Sequence, residues 1–239
     1  MFHYTHSYIA ARLYKSQSDL LLVGSIIPDL AVMGIIKWQG GLHGGEAVKN
    51  FSQFIQGHPD YLDLYRGVLA HNILDDFTHI DYKGEIGYAF QNNQELADLI
   101  GKYYELNDDK WSIGKAHNFI ESAVDILLLN EDPTAQDKLK KAIKTVNRKK
   151  LSELFSDYFN IDKSEFLESI SQFFDLFTKY DFTKEENWVL FWEDLEKLMS
   201  LKDIGSQKRK ELLDKSISIV KNTYKDFLNY SLAEGVKQV

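Results

Sequence analysis

The sequence predicts an all-α fold, and three observations carry that expectation. Apolar residues recur at helical spacing along nearly the whole chain. Only 14 Gly and 3 Pro interrupt the 239 residues, which suits long helices and not a many-turned β protein. No two alternating apolar runs are joined by hairpin turn chemistry. Roughly nine to eleven helices are expected from the pattern. With 44% hydrophobic and 13% aromatic residues the chain can bury one sizeable core, and residues 1–239 read as a single domain. There is no internal repeat and no low-complexity linker.

Taken in order, the first long apolar run is Leu20 to Ile36. Gly24, Ser25, Pro28, Asp29 and Gly34 break it, and a mid-span carboxylate would be costly in lipid, so no transmembrane segment is expected. Pro59 suits the first turn of a helix reaching to about Tyr82, and a second helix is expected from about Ser112 to Leu129. Pro133 again suits a first turn, ahead of the stripe Leu139, Ile143 and Val146. Asp162-Lys-Ser-Glu165 and Thr183-Lys-Glu-Glu186 resemble capping boxes before apolar runs. Leu212, Leu213, Ile217, Val220, Tyr224, Phe227 and Leu228 close the chain as one wide stripe.

The net charge of −8 gives no long-range attraction for a polyanion, so no stable nucleic-acid partner is expected. The basic stretch Lys138, Lys140, Lys141, Lys144, Arg148, Lys149 and Lys150 surrounds an apolar stripe and reads as a solvated helix face. Zero cysteines and an N-terminus without a basic segment leading into an apolar run point to a cytoplasmic protein.

All 7 histidines lie in the first half of the chain, so residues 1–130 are the metal-site half and residues 131–239 a helical half without a chemical signature. His71, Asp75 and His79 are spaced so that each step of four rotates the side chain by only about 40° around a helix. They share one face, and so do His117, Glu121 and, a turn later, Asp125. Val68, Leu69, Ile73, Leu74 and Phe77 hem in the first set; Phe119, Ile120, Val124 and Ile126 hem in the second. Ionisable groups on such buried helices need partners, and imidazole with carboxylate suits zinc or a similar divalent ion. Asp29, just past Pro28, and His43, within Gly40-Gly-Leu-His43-Gly-Gly, are further candidates.

The ordered set resembles the zinc-dependent phospholipase C family, which shares its fold with fungal single-strand nucleases. The resemblance covers about residues 1–130. It runs through Thr5-His6-Ser-Tyr-Ile-Ala, Pro28-Asp29, His43, Gly67-Val-Leu-Ala-His71-xxx-Asp75, His79 and His117-xxx-Glu121-xxx-Asp125. It implies two or three zinc ions. Asp29, His43 and His71 would hold one, with Asp75 bridging; His79, His117 and Glu121 would hold a second; His6 would join a third, with Asp125 behind the ligands. Where the family presents a processed N-terminal Trp, this chain has Met1, so Met1 or His3 would complete the third site. The gap between Asp75 and His79 is shorter than in the secreted enzymes, and an unbroken helix is expected to place His79 one turn on.

The activity this resemblance implies is phosphoester hydrolysis, with metal-activated hydroxide attacking a phosphodiester and Asp29 and Asp75 as the catalytic carboxylates. The substrate would be a phospholipid head group, a nucleotide or a small phosphodiester. An HD-type phosphohydrolase, a zincin and a ferritin-like di-iron protein are disfavoured, because no His is followed by Asp or Glu and no Glu-x-x-His occurs. The alternative from another class is a non-catalytic helical interaction protein with a structural metal site.

Overall fold

Helical periodicity is realised as thirteen α-helices among the residues that the computed structural model describes, namely 3–38, 40–105 and 109–239. They are α1 (His3–Leu13), α2 (Asp19–Gly24), α3 (Gly45–Ile55), α4 (Leu62–Asp75), α5 (Tyr88–Gln91), α6 (Gln94–Tyr104) and α7 (Asp109–Glu131), then α8 (Thr134–Thr145), α9 (Arg148–Phe159), α10 (Lys163–Lys179), α11 (Glu185–Leu198), α12 (Ser206–Val220) and α13 (Tyr224–Gly235). The chain is all-α. The count exceeds the expected range because α2 and α5 have only 6 and 4 residues. Neither fills the window over which a 3.6-residue period can be read. The C-terminal stripe is also divided, by a turn at residues 221–223 between α12 and α13.

One small element carried no recognised signal in the sequence. A two-stranded hairpin does occur, β1 (Asp81–Tyr82) paired antiparallel with β2 (Glu85–Ile86). Its turn residues Lys83 and Gly84 have φ of 59° and 79°, the paired positive values of a tight hairpin turn. A lysine in the first of these positions is not a turn signal that a sequence reading recognises. The Asp162 cap is present, its carboxylate accepting from the Ser164 and Glu165 amides at 2.8 and 3.1 Å. The Thr183 cap is not: that hydroxyl donates to Asp181 Oδ1 at 2.6 Å, and Lys184 at the head of α11 makes no side-chain cap bond.

The chain divides into two compact units, each drawn from both halves of the sequence. The first comprises the residues up to Thr5, Ile73–Pro133 and Asp181–Gln238; the second comprises His6–Asn72 and Thr134–Tyr180 with Val239. In the first unit, α7 packs against α5, α6 and α12, and Phe119 of α7 stacks on Trp192 of α11 with ring centroids 3.8 Å apart. A buried guanidinium is held there too: Arg209 donates to Glu196 Oε2 at 2.7 and 3.0 Å, and Tyr104 donates to Glu196 Oε1 at 2.6 Å. In the second unit, α8 lies on α2 and α10 packs against α8 and α9, with a row of stacked rings through Phe51, Phe155 and Phe166. Among the described residues no helix is long and apolar enough to cross a membrane. The Leu20–Ile36 run becomes α2 followed by a 3-10 helix, Ile27–Met33, with Pro28 in its first turn and Asp29 buried.

Candidate metal centre

The second unit brings His6, Asp29, His43 and His71 together, and the arrangement starts from two glycines. A Cβ at Gly24 would stand 2.2 Å from the Leu64 carbonyl oxygen, and one at Gly67 would stand 2.3 Å from the Leu21 carbonyl oxygen. Only hydrogen at both positions lets the backbones of α2 and α4 meet. That approach presents the Ser25 carbonyl to the His71 ring, one turn along α4 from Gly67, at 2.9 Å from Nδ1. A carbonyl can only accept, so the proton sits on Nδ1 and the lone pair on Nε2 faces the cluster.

The His6 ring stacks on His71 with centroids 3.8 Å apart and planes 14° apart. Asp29 joins them: one donor atom from each of His6, Asp29 and His71 lies within 4.8 Å of the others, and all three side chains are buried. His43 arrives from the glycine-rich loop, its Nε2 standing 3.2 Å from His71 Nε2 and 3.8 Å from Asp29 Oδ1. Trp38, about half exposed, lies against the His43 ring at 5.1 Å. His6, expected at a third ion, has a donor atom grouped with those of Asp29 and His71.

The first unit brings together His79, His117 and Glu121. Continuous α-helix was expected through His79, but α4 ends at Asp75 and the next five residues, Asp76–Ile80, form a π turn. The Asp81 amide donates to the Asp76 carbonyl across five residues, and Thr78 Oγ1 donates back to the Leu74 carbonyl at 2.8 Å. This wider turn re-aims His79, a common use of π geometry at functional sites. Its Nε2 lies 2.7 Å from Glu121 Oε1, and its Nδ1 lies 3.9 Å from Asp75 Oδ2. His117 Nε2 is 3.9 Å from the same Glu121 oxygen, one turn away on α7. Donor atoms of His79, His117 and Glu121 all fall within 4.8 Å of one another. Gly87, at the head of α5, makes room for this turn, since a Cβ there would stand 2.3 Å from the carbonyl carbon of His79. Phe90, on α5, faces both imidazoles at 5.9 and 5.3 Å.

Electrostatics suit a cation at this second group. Glu121 is fully buried, and a buried carboxylate needs positive charge beside it. Burial, and then the neighbouring His79, push the His117 pKa well below its ordinary value, so its ring stays neutral, the form in which imidazole binds a metal. His117 Nδ1 is buried without a hydrogen-bond partner among the described residues. The donor chemistry of both groups therefore fits a divalent ion of the zinc kind.

The remaining predicted residues are placed as follows. Asp125 is fully buried in α7 and accepts from the Tyr4 amide at 3.2 Å and from the Thr5 amide and hydroxyl at 2.7 Å each. It thereby satisfies the first turn of α1, directly ahead of His6. Burial raises its pKa to about 7 against the lowering effect of these bonds. His3 packs edge-on against Phe191 at 6.4 Å, and none of the ligand groups among the described residues includes it. Met1 lies outside the described residues. Asp75 stands one turn beyond His71 on α4. Sequence reasoning missed Ser25, Asn72, Gly87 and Phe90. Ser25 acts through its carbonyl, Gly87 through its missing Cβ and Asn72 through a side-chain amide bonded to loop backbone, none of which leaves a spacing signal, and Phe90 is one aromatic among many.

No family model matches the chain, and neither does any curated protein or solved structure. A functional reading therefore rests on these side chains.

Proposed function

We propose that the protein is a cytoplasmic zinc-dependent phosphoesterase of the phospholipase C kind. The observation that carries the proposal is the group of His79, His117 and Glu121, in which three donors converge and solvent reaches one side. The His79 and His117 side chains are 28% and 21% exposed, whereas Glu121 is 0% exposed. Three protein ligands with an open position are the pattern of catalytic rather than structural zinc.

His79, His117 and Glu121 would hold one ion, and Asp29, His71 and His6 or His43 would hold another. Asp75, whose Oδ2 lies 3.9 Å from His79 Nδ1, would support the ion of its own unit. A zinc ion supplies Lewis acidity toward a phosphoryl oxygen and lowers the pKa of water toward neutrality. The protein's own part is positional. The Ser25 carbonyl fixes the His71 tautomer, Glu121 orients His79, and Phe90 walls the imidazole pair against bulk water. Asp29, with an imidazole 3.8 Å away, is the candidate proton acceptor. The substrate class is a phosphodiester, in a phospholipid head group, a nucleotide or a smaller ester.

The test is hydrolysis of bis(p-nitrophenyl) phosphate and of a short-chain phosphatidylcholine by the zinc-loaded full chain. His117→Ala should lower turnover by at least about 100-fold, as loss of a ligand or its support does. A second reading, an interaction module with a structural ion, is favoured by one observation, the complete burial of His6, Asp29 and His71. Full zinc occupancy with no hydrolysis of any phosphodiester would select it.

A further inference from the structure

We infer that Asn72 is a positioning residue, the clamp that holds His43 against His71. The inference deepens the metal-site reading and rests on it. Asn72 follows His71 on α4 and is buried. Its Oδ1 accepts from the Gly44 amide at 2.7 Å, while its Nδ2 donates to the Leu42 carbonyl at 2.9 Å and to the Val68 carbonyl at 2.8 Å. Leu42 and Gly44 are the two chain neighbours of His43. One side-chain amide therefore grips the loop on both sides of the imidazole, and its third bond ties it to the preceding turn of its own helix.

The loop needs such a grip. Residues 40–45 read Gly-Gly-Leu-His-Gly-Gly, and Gly40 and Gly44 have φ of 78° and 89°. Four glycines in six residues leave many backbone states open, so local conformation alone does not fix where the imidazole points. The adjacent Trp38, which lies against the His43 ring at 5.1 Å, is itself 48% exposed. His71, by contrast, sits on a rigid helix with its tautomer set by Ser25. Placing the clamp on the very next residue locks both imidazoles to one helical turn and sets the 3.2 Å approach of their Nε2 atoms.

The chemistry is specific to asparagine. The bonds require one acceptor facing an N–H and two donors facing carbonyls, an arrangement only a carboxamide supplies at this length. Aspartate keeps the Gly44 bond and sets a carboxylate oxygen against two carbonyls. Leucine, of nearly the same shape, makes none of the three bonds.

The experiment uses the full chain, stripped with chelator and reloaded with Co²⁺, whose visible absorption reports the ligands. Wild type, Asn72→Ala, Asn72→Asp, His43→Ala and the Asn72→Ala/His43→Ala double variant are titrated, with His117→Ala marking the other group. Asn72→Ala and Asn72→Asp should each weaken one of the bound ions by about 10- to 100-fold, the usual effect of removing a group that orients a ligand. They should move the spectrum in the direction that His43→Ala moves it and leave the ion lost in His117→Ala in place. The double variant should match His43→Ala, since a clamp has nothing to act on once the imidazole is gone. Wild-type affinity and spectrum in Asn72→Ala, or additive losses in the double variant, would overturn the inference. Failure of wild type to bind Co²⁺ would instead remove the metal reading, and the inference with it. Should the variants fold poorly, wild type alone gives a decisive readout: the Gly44 amide must exchange slowly with solvent, and fast exchange refutes the clamp.

Discussion

His71 and His79 lie eight residues apart, yet their surroundings differ in nearly every physical respect. In the second unit, His6, Asp29 and His71 are at most 4% exposed, and the rings are held by stacking and by a backbone carbonyl. In the first unit, His79 and His117 keep 28% and 21% of their side-chain surface, and the anchoring group is the buried carboxylate of Glu121, one turn from His117 on α7. A site closed on all sides binds tightly and exchanges slowly; a site with an open side can admit a substrate atom. On the proposed reading, the more buried group of the second unit, in which His43 alone is 18% exposed, would hold its ion, and the open group of the first unit would carry the chemistry. The support also differs, an interhelical glycine contact for His71 and a π turn for His79.

The strongest way to break this comparison is to remove one imidazole from each group. His71→Ala should abolish one ion and His117→Ala a different one, each leaving the other bound, as read by metal analysis. Simultaneous loss of both ions in either variant would mean a single shared site. Next in size are the glycines. Gly67→Ala sets a Cβ 2.3 Å from the Leu21 carbonyl and should lower stability by at least about 1–3 kcal/mol while disturbing His71. Gly87→Ala sets a Cβ 2.3 Å from the His79 backbone and should weaken the ion at His79 and His117 in particular. Thermal melts with and without zinc separate the two, and an unchanged melt for either alanine would show that the helix contact is not required.

Asp125→Ala sharpens the account from the N-terminal side. It removes three bonds to Tyr4 and Thr5 and should cost about 1–3 kcal/mol, measured by denaturant unfolding. The smallest expected effect is a pH dependence of the metal-free protein. The native His117 pKa lies below the unfolded value near 6.5, so the unfolded chain takes up a proton first as pH falls. Stability from this group is fully present above about pH 6.5 and is lost as pH drops toward the native pKa. His117→Ala should flatten that limb of the profile; an unchanged limb would place the titration elsewhere.

Much of this was legible in the sequence. The four-residue steps through His71, Asp75, His79 and through His117, Glu121, Asp125 announced helical faces, and their apolar flanks announced burial; α4 realises the first for His71 and Asp75 only, α7 realises it for its three, and His71, Glu121 and Asp125 are the buried members. What escaped was whatever depends on backbone meeting backbone. Gly67 looks like any helix glycine until the Leu21 carbonyl is set against it. The π turn at Asp76–Ile80 preserves the four-residue spacing of His79 while changing its direction, so the pattern is blind to it. Lys83-Gly84 turns a hairpin without a turn residue in its first position, and the pairing of His6 with Asp29 and His71 joins residues 23 and 65 positions apart in sequence.

The most direct test is the metal content of full-length protein purified without chelator or a metal column, measured by elemental analysis before and after brief exposure to a chelator. The account predicts at least two zinc-like ions per chain, one leaving quickly and absent from His117→Ala, the other leaving slowly and absent from His71→Ala. A chain that holds no transition metal, and whose melting temperature zinc does not raise, would contradict it.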